Sequence, residues 1–170
     1  VTWGRQALAR SGGRACGVIV NAGNANACTG PQGERDARRM AELAARAVGS
    51  PAARMLVCST GVIGHPLPMP KIRGGIARLG RLIRQRQPSG DFTRAILTTD
   101  LVAKTSAACV EIGGAEVRIF GCTKGSGMIS PSLATTLGFV ATDAAIAPGI
   151  LQRALDDARA TVDVLHALIE

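Results

Sequence analysis

Two β-rich runs, Ser106 to Ile112 and Ala115 to Cys122, are separated only by Gly113 and Gly114. A two-glycine loop suits a primed turn, in which both residues take positive φ and the backbone twist matches that of the strands it joins. The segment is therefore a β-hairpin, and its antiparallel pairing excludes a purely parallel sheet. Around it, apolar segments of both periods alternate. Val18 to Val20 reads as a short buried strand that runs into a small polar loop, Asn21 to Gly30. Pro31 opens a helix in which Ala37, Met40, Ala41, Ala44 and Val48 recur at helical spacing, with Gly49-Ser50 as the stop. Met55 to Ser59 predicts a second strand, ending in Thr60-Gly61 before a turn around Gly64 and Pro66. A helix from about Pro70 carries the stripe Ile72, Ile76, Leu79 and Ile83 and exits through Gln85 to Gly90. Ala95 to Leu97 predicts a third short strand, ending in Thr98-Thr99-Asp100. Lys124 to Met128 is a glycine loop, Leu133 to Thr142 is apolar and threonine-rich, and Pro148 to Glu170 is an amphipathic helix with Leu151, Leu155, Val162, Leu165 and Ile169. Strands and helices alternate without strict βαβ spacing, so the class is α+β with a mixed sheet covered by helices.

What fills this frame is unusual. The 170 residues are 46% hydrophobic, enough to bury a core, yet only 2% aromatic, with no Tyr and 21 glycines. The core is therefore Ala, Val, Ile and Leu in closely packed layers. A net charge of +8 would ordinarily raise nucleic-acid binding. Here the cations, mostly Arg, fall on helical faces at Arg35, Arg38, Arg39, Arg46, Arg73, Arg78, Arg81, Arg84 and Arg86 without an aromatic stacking platform, so solvated faces explain them better. Five widely spaced cysteines (Cys16, Cys28, Cys58, Cys109, Cys122) lack a CxxC pair and support neither a disulfide framework nor a zinc site. They read as small, buried, reduced thiols of a cytoplasmic protein. No apolar run reaches the roughly 18 to 20 residues that span a bilayer, and no secretory signal is visible, so neither a membrane nor a nucleic-acid partner is expected.

Histidine chemistry has little to work with. His65 sits in a turn beside Pro66, and His166 lies on the last helix beside its apolar stripe. The remaining nucleophiles are hydroxyls, which need a base. Cleavage of the peptide bond ahead of a threonine supplies one, because the residue then carries a hydroxyl and a free α-amino group with a pKa of about 7.7 to 8. Such cleavage begins when the hydroxyl attacks the preceding carbonyl, which favours a small preceding residue and a tightly held loop. Ala134-Thr135, after the glycine-rich turn at Lys124 to Gly127 and Pro131, meets those conditions, although a threonine between apolar residues is ordinarily a strand residue.

Four separated segments then decide between these readings. They are NAGNANACTG at Asn21 to Gly30, STGVIG with LPM at Ser59 to Met69, ILTTD at Ile96 to Asp100, and KGSGMISPSLATTLGF with ATDA from Lys124 to Ala144. In order and spacing they resemble the bifunctional ornithine acetyltransferase/glutamate N-acetyltransferase family of arginine biosynthesis, over about Gly17 to Ala144. The resemblance implies an αββα-type sandwich, shared with the N-terminal-nucleophile aminopeptidase group and incomplete here. It implies an α-chain portion at residues 1–134, lacking the family's N-terminal segment, and the start of a β-chain portion at 135–170. Thr135 is implied as nucleophile and as β-chain N-terminus after the Ala134-Thr135 bond breaks, and Thr60 and Gly61 as the oxyanion-hole pair. Thr98 and Lys124 resemble the family's substrate contacts, with Thr99 the neighbouring hydroxyl should the register slip by one. Asn21, Asn24 and Asn26 line the site by analogy, or bond their own backbone in turns.

The implied reaction moves an acetyl group from N-acetylornithine to glutamate by way of acyl-Thr135, releasing ornithine, with no metal or organic cofactor; some members also accept acetyl-CoA. The implied assembly is a heterotetramer of α and β chains. This sequence departs from the family pattern in having Thr136 where Met usually follows the nucleophile. It also ends at Val164 to Glu170, where members continue into a DGDTSTND-like motif and the Glu, Asn and Thr or Ser that complete the substrate pocket. Open sheet edges and apolar surface are expected as a consequence. Two alternatives remain: a truncated, inactive relative, and an N-terminal-nucleophile aminopeptidase or hydrolase, a group that normally uses Ser.

Overall fold

The computed structural model describes residues 1–87, 90–125 and 136–167, with side chains through residue 158. It opens with a helix that sequence periodicity had not signalled, α1 (Thr2–Ser11), closed by Gly12 in the left-handed conformation. Trp3 ties this helix down by donating its indole N–H to the Met55 carbonyl at 2.9 Å. Strand β1 (Gly17–Asn24) follows, then α2 (Gly30–Val48), β2 (Met55–Val62) and α3 (Met69–Arg84). Both long helices start with proline in the first turn, where the missing N–H costs nothing, and α2 stops at Gly49 at φ 74.

β1 and β2 pair in parallel over eight residues, from Gly17 opposite Met55 to Asn24 opposite Val62. Each strand is longer than its apolar stretch. Asn21 to Asn24 and Thr60 to Val62 continue the ladder, so neither Asn21 nor Thr60 lies beyond its strand end. Backbone pairing is indifferent to side-chain polarity, and Ser59 Oγ donates to Asn21 Oδ1 at 2.6 Å across the pair.

On this pair sits the core of Met40, Ala41, Ala44, Ala45, Met55, Leu67 and Ile76, with Trp3, Ile19, Leu43, Val57 and Ile72 packed against it. Small residues let the two helices approach closely. A β-carbon at Gly80 of α3 would lie 2.7 Å from the Ala47 β-carbon of α2, and Arg84 Nη1 donates to the Ala47 carbonyl at 2.6 Å. The stripe of α3 is only half used. Ile76 is buried, while Leu79 and Ile83 border an apolar cleft of about 450 Å³ shared with Val18, Val20 and Phe92.

The strand expected at Ala95 to Leu97 is instead the end of a single helical turn, α4 (Phe92–Ala95). Asp91 nucleates it by accepting from the Thr93 and Arg94 amides, a cap that outweighs the weak strand preference of the Ile96-Leu97 pair. Ile96 still goes inside, at 2% exposure.

Strands β3 (Lys104–Ile112), β4 (Ala115–Lys124) and β5 (Leu137–Thr142) form an antiparallel sheet with β4 in the middle. Gly113 and Gly114 both have positive φ, 59° and 79°, as the hairpin required. The α+β class thus stands, with parallel and antiparallel pairing both present, in two sheets among the described residues. Helix α5 (Pro148–Ala167) follows, but Leu151 and Leu155 of its expected apolar stripe are exposed.

All nine arginines assigned to solvated faces are exposed. The cysteines depart from expectation: Cys122 is buried and Cys58 half-buried, but Cys16, Cys28 and Cys109 are exposed, and all five are free. Among the described residues no helix is long and apolar enough to cross a membrane, and no group of three His, Cys, Asp or Glu side chains is arranged to hold a metal ion.

Candidate active site

The end of the three-stranded sheet formed by the last residue of β4 and the first residues of β3 and β5 concentrates unusual groups. Lys124 closes β4, opposite Leu137 on β5, while Lys104 opens β3 opposite Thr123. Lys124 is 96% buried, its 4% exposure being rare for an ammonium group. Its Nζ donates to Thr98 Oγ1 at 3.1 Å, so the two expected substrate contacts are in direct touch. Burial pushes the Lys124 pKa down, and the nearby Asp100 carboxylate works against that shift.

Asp100 was not assigned a role from the sequence, nor was Lys104, yet both belong to this cluster. Asp100 Oδ1 accepts from Lys104 Nζ at 2.8 Å and from the Gly125 amide at 2.8 Å. Burial alone would raise the carboxyl's pKa; the hydrogen bonds from Lys104 and Gly125, with the charges of Lys104 and Lys124, hold it below the ordinary carboxylate range. Lys104 Nζ also donates to the Gly125 carbonyl. The only sequence signal was an acid four residues ahead of a base, a spacing too common on surfaces to single out.

Gly125 brings this cluster against the strand that follows Ala134-Thr135. A β-carbon at Gly125, whose φ is +150°, would lie 3.1 Å from Thr136 Oγ1. Thr136 is the residue bonded to Thr135. Ala134, Thr135 and the bond between them lie outside the described residues, as do Ser126 to Met128 of the glycine loop.

Thr60 and Gly61 sit elsewhere in the fold, on β2. Thr60 is 1% exposed. Gly61, at φ +126°, faces Gly23, at φ +120°, across the parallel pair, and a β-carbon on Gly61 would lie 2.3 Å from the Gly23 carbonyl carbon. Only glycine fits there, and positive φ turns its peptide away from regular strand geometry.

The asparagines next to this crossing are occupied. Asn21 Nδ2 donates to the Asn24 carbonyl at 2.9 Å, Asn24 Nδ2 to the Pro66 carbonyl at 3.3 Å, and Asn26 Nδ2 to the Gly33 carbonyl at 2.9 Å. Asn21 thus bonds its own local backbone, while Asn24 and Asn26 tie the loop to carbonyls farther along the chain. His65 is exposed, and the side chain of His166 lies outside the described set.

A sheet end with a buried lysine, a hydroxyl partner and a carboxylate thus stands beside a parallel β-pair with covering helices, in an α+β fold of the ornithine acetyltransferase type. Solved structures of that type match. The arginine biosynthesis bifunctional protein argJ from Bacillus halodurans aligns with TM-score 0.65 and 36% identity, covering 76% of this chain and 66% of that one. An ornithine acetyltransferase from Mycobacterium tuberculosis, solved as a complex with ornithine, aligns with TM-score 0.61 and 34% identity, covering 77% and 68%.

The ArgJ family model matches residues 1–163, and the chain belongs to that family. Arginine biosynthesis bifunctional protein ArgJ of Symbiobacterium thermophilum is 52% identical over 141 residues, which is 83% of this chain and 35% of that protein. The Shouchella clausii protein of the same name is 46% identical over 164 residues, 96% of this chain and 39% of that protein. The chain thus spans little more than a third of the length of these curated relatives.

Proposed function

We propose that the protein carrying this chain is an N-acetyltransferase of arginine biosynthesis that moves an acetyl group from N-acetylornithine to glutamate through acyl-Thr135. The observation that carries the reading is the buried Lys124 bonded to the exposed Thr98 at the sheet end, with Thr136 against the adjoining Gly125. A buried ammonium with a hydroxyl partner suits the polar end of an amino-acid substrate, and Thr136, the residue bonded to Thr135, stands against Gly125, which follows Lys124 in the chain. The ornithine bound in the Mycobacterium tuberculosis relative agrees with a substrate of this class.

In this reading residues 1–134 form the α portion and 135–170 the start of the β portion, divided by self-cleavage at Ala134-Thr135. The Thr135 hydroxyl adds to the Ala134 carbonyl, the acyl group shifts from nitrogen to oxygen, and water releases it. The freed α-amino group then serves as the base for the same hydroxyl. Thr135 Oγ adds to the acetyl carbonyl of N-acetylornithine, giving up its proton to that amine, and Thr60 and Gly61 stabilise the resulting oxyanion. The proton passes to the departing ornithine nitrogen, leaving an ester. The amine of glutamate attacks the ester and regenerates the threonine. An acyl-threonine carries the group, so the scheme requires no metal or organic cofactor, and acetyl-CoA is a second donor from which the free Thr135 hydroxyl would take the acetyl group, releasing the CoA thiol. Paired α and β portions assemble as a heterotetramer.

Denaturing mass spectrometry tests the reading. Processing yields fragments of residues 1–134 and 135–170, and Thr135→Ala leaves one intact mass. A wild-type chain that folds and stays intact contradicts self-cleavage. Release of free acetate from N-acetylornithine without glutamate would point to hydrolysis instead.

A further inference from the structure

We propose that Asp100 is a positioning residue of this site: with Lys104 it clamps the Gly125 peptide and so sets both Lys124 and the Thr136 end of β5 in register. The inference rests on the reading of Thr135 as nucleophile and deepens it.

The clamp grips one peptide residue from both sides. Asp100 Oδ1 takes the Gly125 N–H at 2.8 Å, Lys104 Nζ takes the Gly125 carbonyl, and the two gripping side chains are themselves an ion pair at 2.8 Å. Gly125 therefore cannot rotate without breaking two hydrogen bonds at once. On one side of it, Lys124 is covalently attached and bonded to Thr98. On the other, Thr136 Oγ1 stands where a β-carbon on Gly125 would press at 3.1 Å, and the positive φ of Gly125 excludes other residues independently. The carboxylate thus controls the spacing between the ammonium read as a substrate contact and Thr136, which precedes β5.

Stability alone does not account for an acid at this position. The Asp100 side chain is only 1% exposed, and its Oδ2 has no hydrogen-bond partner among the described residues. A buried carboxylate oxygen without a donor is destabilising. Lys104, Lys124 and the Gly125 amide are the groups that face it.

Asp100→Asn keeps an acceptor oxygen and the side-chain shape but removes the ion pair. Two measurements on the full chain are made together: the rate of cleavage at Ala134-Thr135 by mass spectrometry, and amide hydrogen exchange at Gly125 by NMR. The expected result is exchange faster by about tenfold, cleavage slower by about tenfold, and an unfolding midpoint near that of wild type, as loss of one charge-assisted hydrogen bond would give. Lys104→Met should match it, the double variant should be no worse than either single, and Lys104→Arg should recover most of the rate.

Wild-type cleavage in folded Asp100→Asn overturns the proposal, whether or not Gly125 exchange has risen, because the contact is then an ordinary loop anchor. Should Asp100→Asn fail to fold, Lys104→Met decides on the same two readouts. Should the wild-type chain itself remain uncleaved, it is the Thr135 reading that fails. In that case unchanged Gly125 exchange in the variants overturns the clamp, and faster exchange supports only the grip on Gly125 that the proposal requires.

Discussion

From α1 through α3 the chain buries a continuous cluster of Met40, Ala41, Ala44, Ala45, Met55, Leu67 and Ile76, whereas the sheet β3–β4–β5 buries only Val117, Cys122 and Lys124 among its described residues. The second region is no less apolar in sequence. Val110, Ile112, Phe120 and Val140 are all on it, and all are exposed, Val140 by 70%. The difference lies in cover: two helices lie on the parallel pair, while the antiparallel sheet has its faces open. Yet the open region holds the buried lysine, its threonine partner and the Asp100 clamp. The larger core and the Lys124–Asp100 cluster are thus housed in different parts of the molecule, with the proposed oxyanion pair Thr60-Gly61 on the covered side. The two parts meet where Phe92 of α4 packs edge to face on Phe139 of β5, with ring centroids 5.1 Å apart.

The largest effect that could sharpen this contrast comes from Gly61, where the backbones of β1 and β2 in the helix-covered region press on each other. Gly61→Ala combines a left-handed backbone with a β-carbon 2.3 Å from the Gly23 carbonyl carbon, and neither strand can retreat without losing its ladder. Strain plus overpacking should cost about 4 kcal/mol in denaturant unfolding. An Ala variant as stable as wild type would show that β1 and β2 are not held against each other as tightly as the structure has them.

Met40→Ala comes next. Met40 is fully buried at the centre of the α2 face, so truncation should cost about 3 kcal/mol. Its counterpart in the sheet is Phe120→Ala. Phe120 is 44% exposed on β4, and its removal should cost less than about 1 kcal/mol despite the larger side chain. Equal losses at the two positions would break the comparison, since they would mean that the sheet is covered in solution.

The same contrast governs which parts of the structure were legible beforehand. The Gly113-Gly114 hairpin, the α2 helix from Pro31 to its Gly49 stop, and the α3 helix were readable because local chemistry decides them: turn glycines, a first-turn proline, and apolar residues at helical spacing. Thr98 and Lys124 were named by resemblance as substrate contacts, whereas their touching each other at 3.1 Å follows from where β4 ends. The tails of β1 and β2 were not readable, because Asn21 to Asn24 and Thr60 to Val62 are polar or glycine-rich and are paired through contacts with residues distant in sequence. Turn α4 was hidden by its apolar residues, and only the Asp91 cap explains it. Asp100 and Lys104 could not be paired in advance, since what unites them is Gly125, more than twenty residues downstream of the acid.

The smallest predicted effect belongs to the outer face of α2, where Glu42 meets Arg38 at 3.1 Å and Arg39 at 3.4 Å. The hydrogen bond from Arg38 holds the Glu42 carboxyl below its ordinary value of 4.5, with burial opposing and Arg39 adding to the effect. A carboxylate whose folded pKa lies below its unfolded one stabilises the fold above the unfolded value, and that stabilisation disappears as pH falls from about 4.5 through the folded value. Because both arginines are well exposed, solvent screening limits the contribution, and Glu42→Gln should lower stability at neutral pH by no more than about 0.5 kcal/mol. The wild-type and Gln unfolding curves should converge below that window. A gap that persisted or widened in acid would assign the Glu42 effect to helix packing on the covered side rather than to its ion pairs.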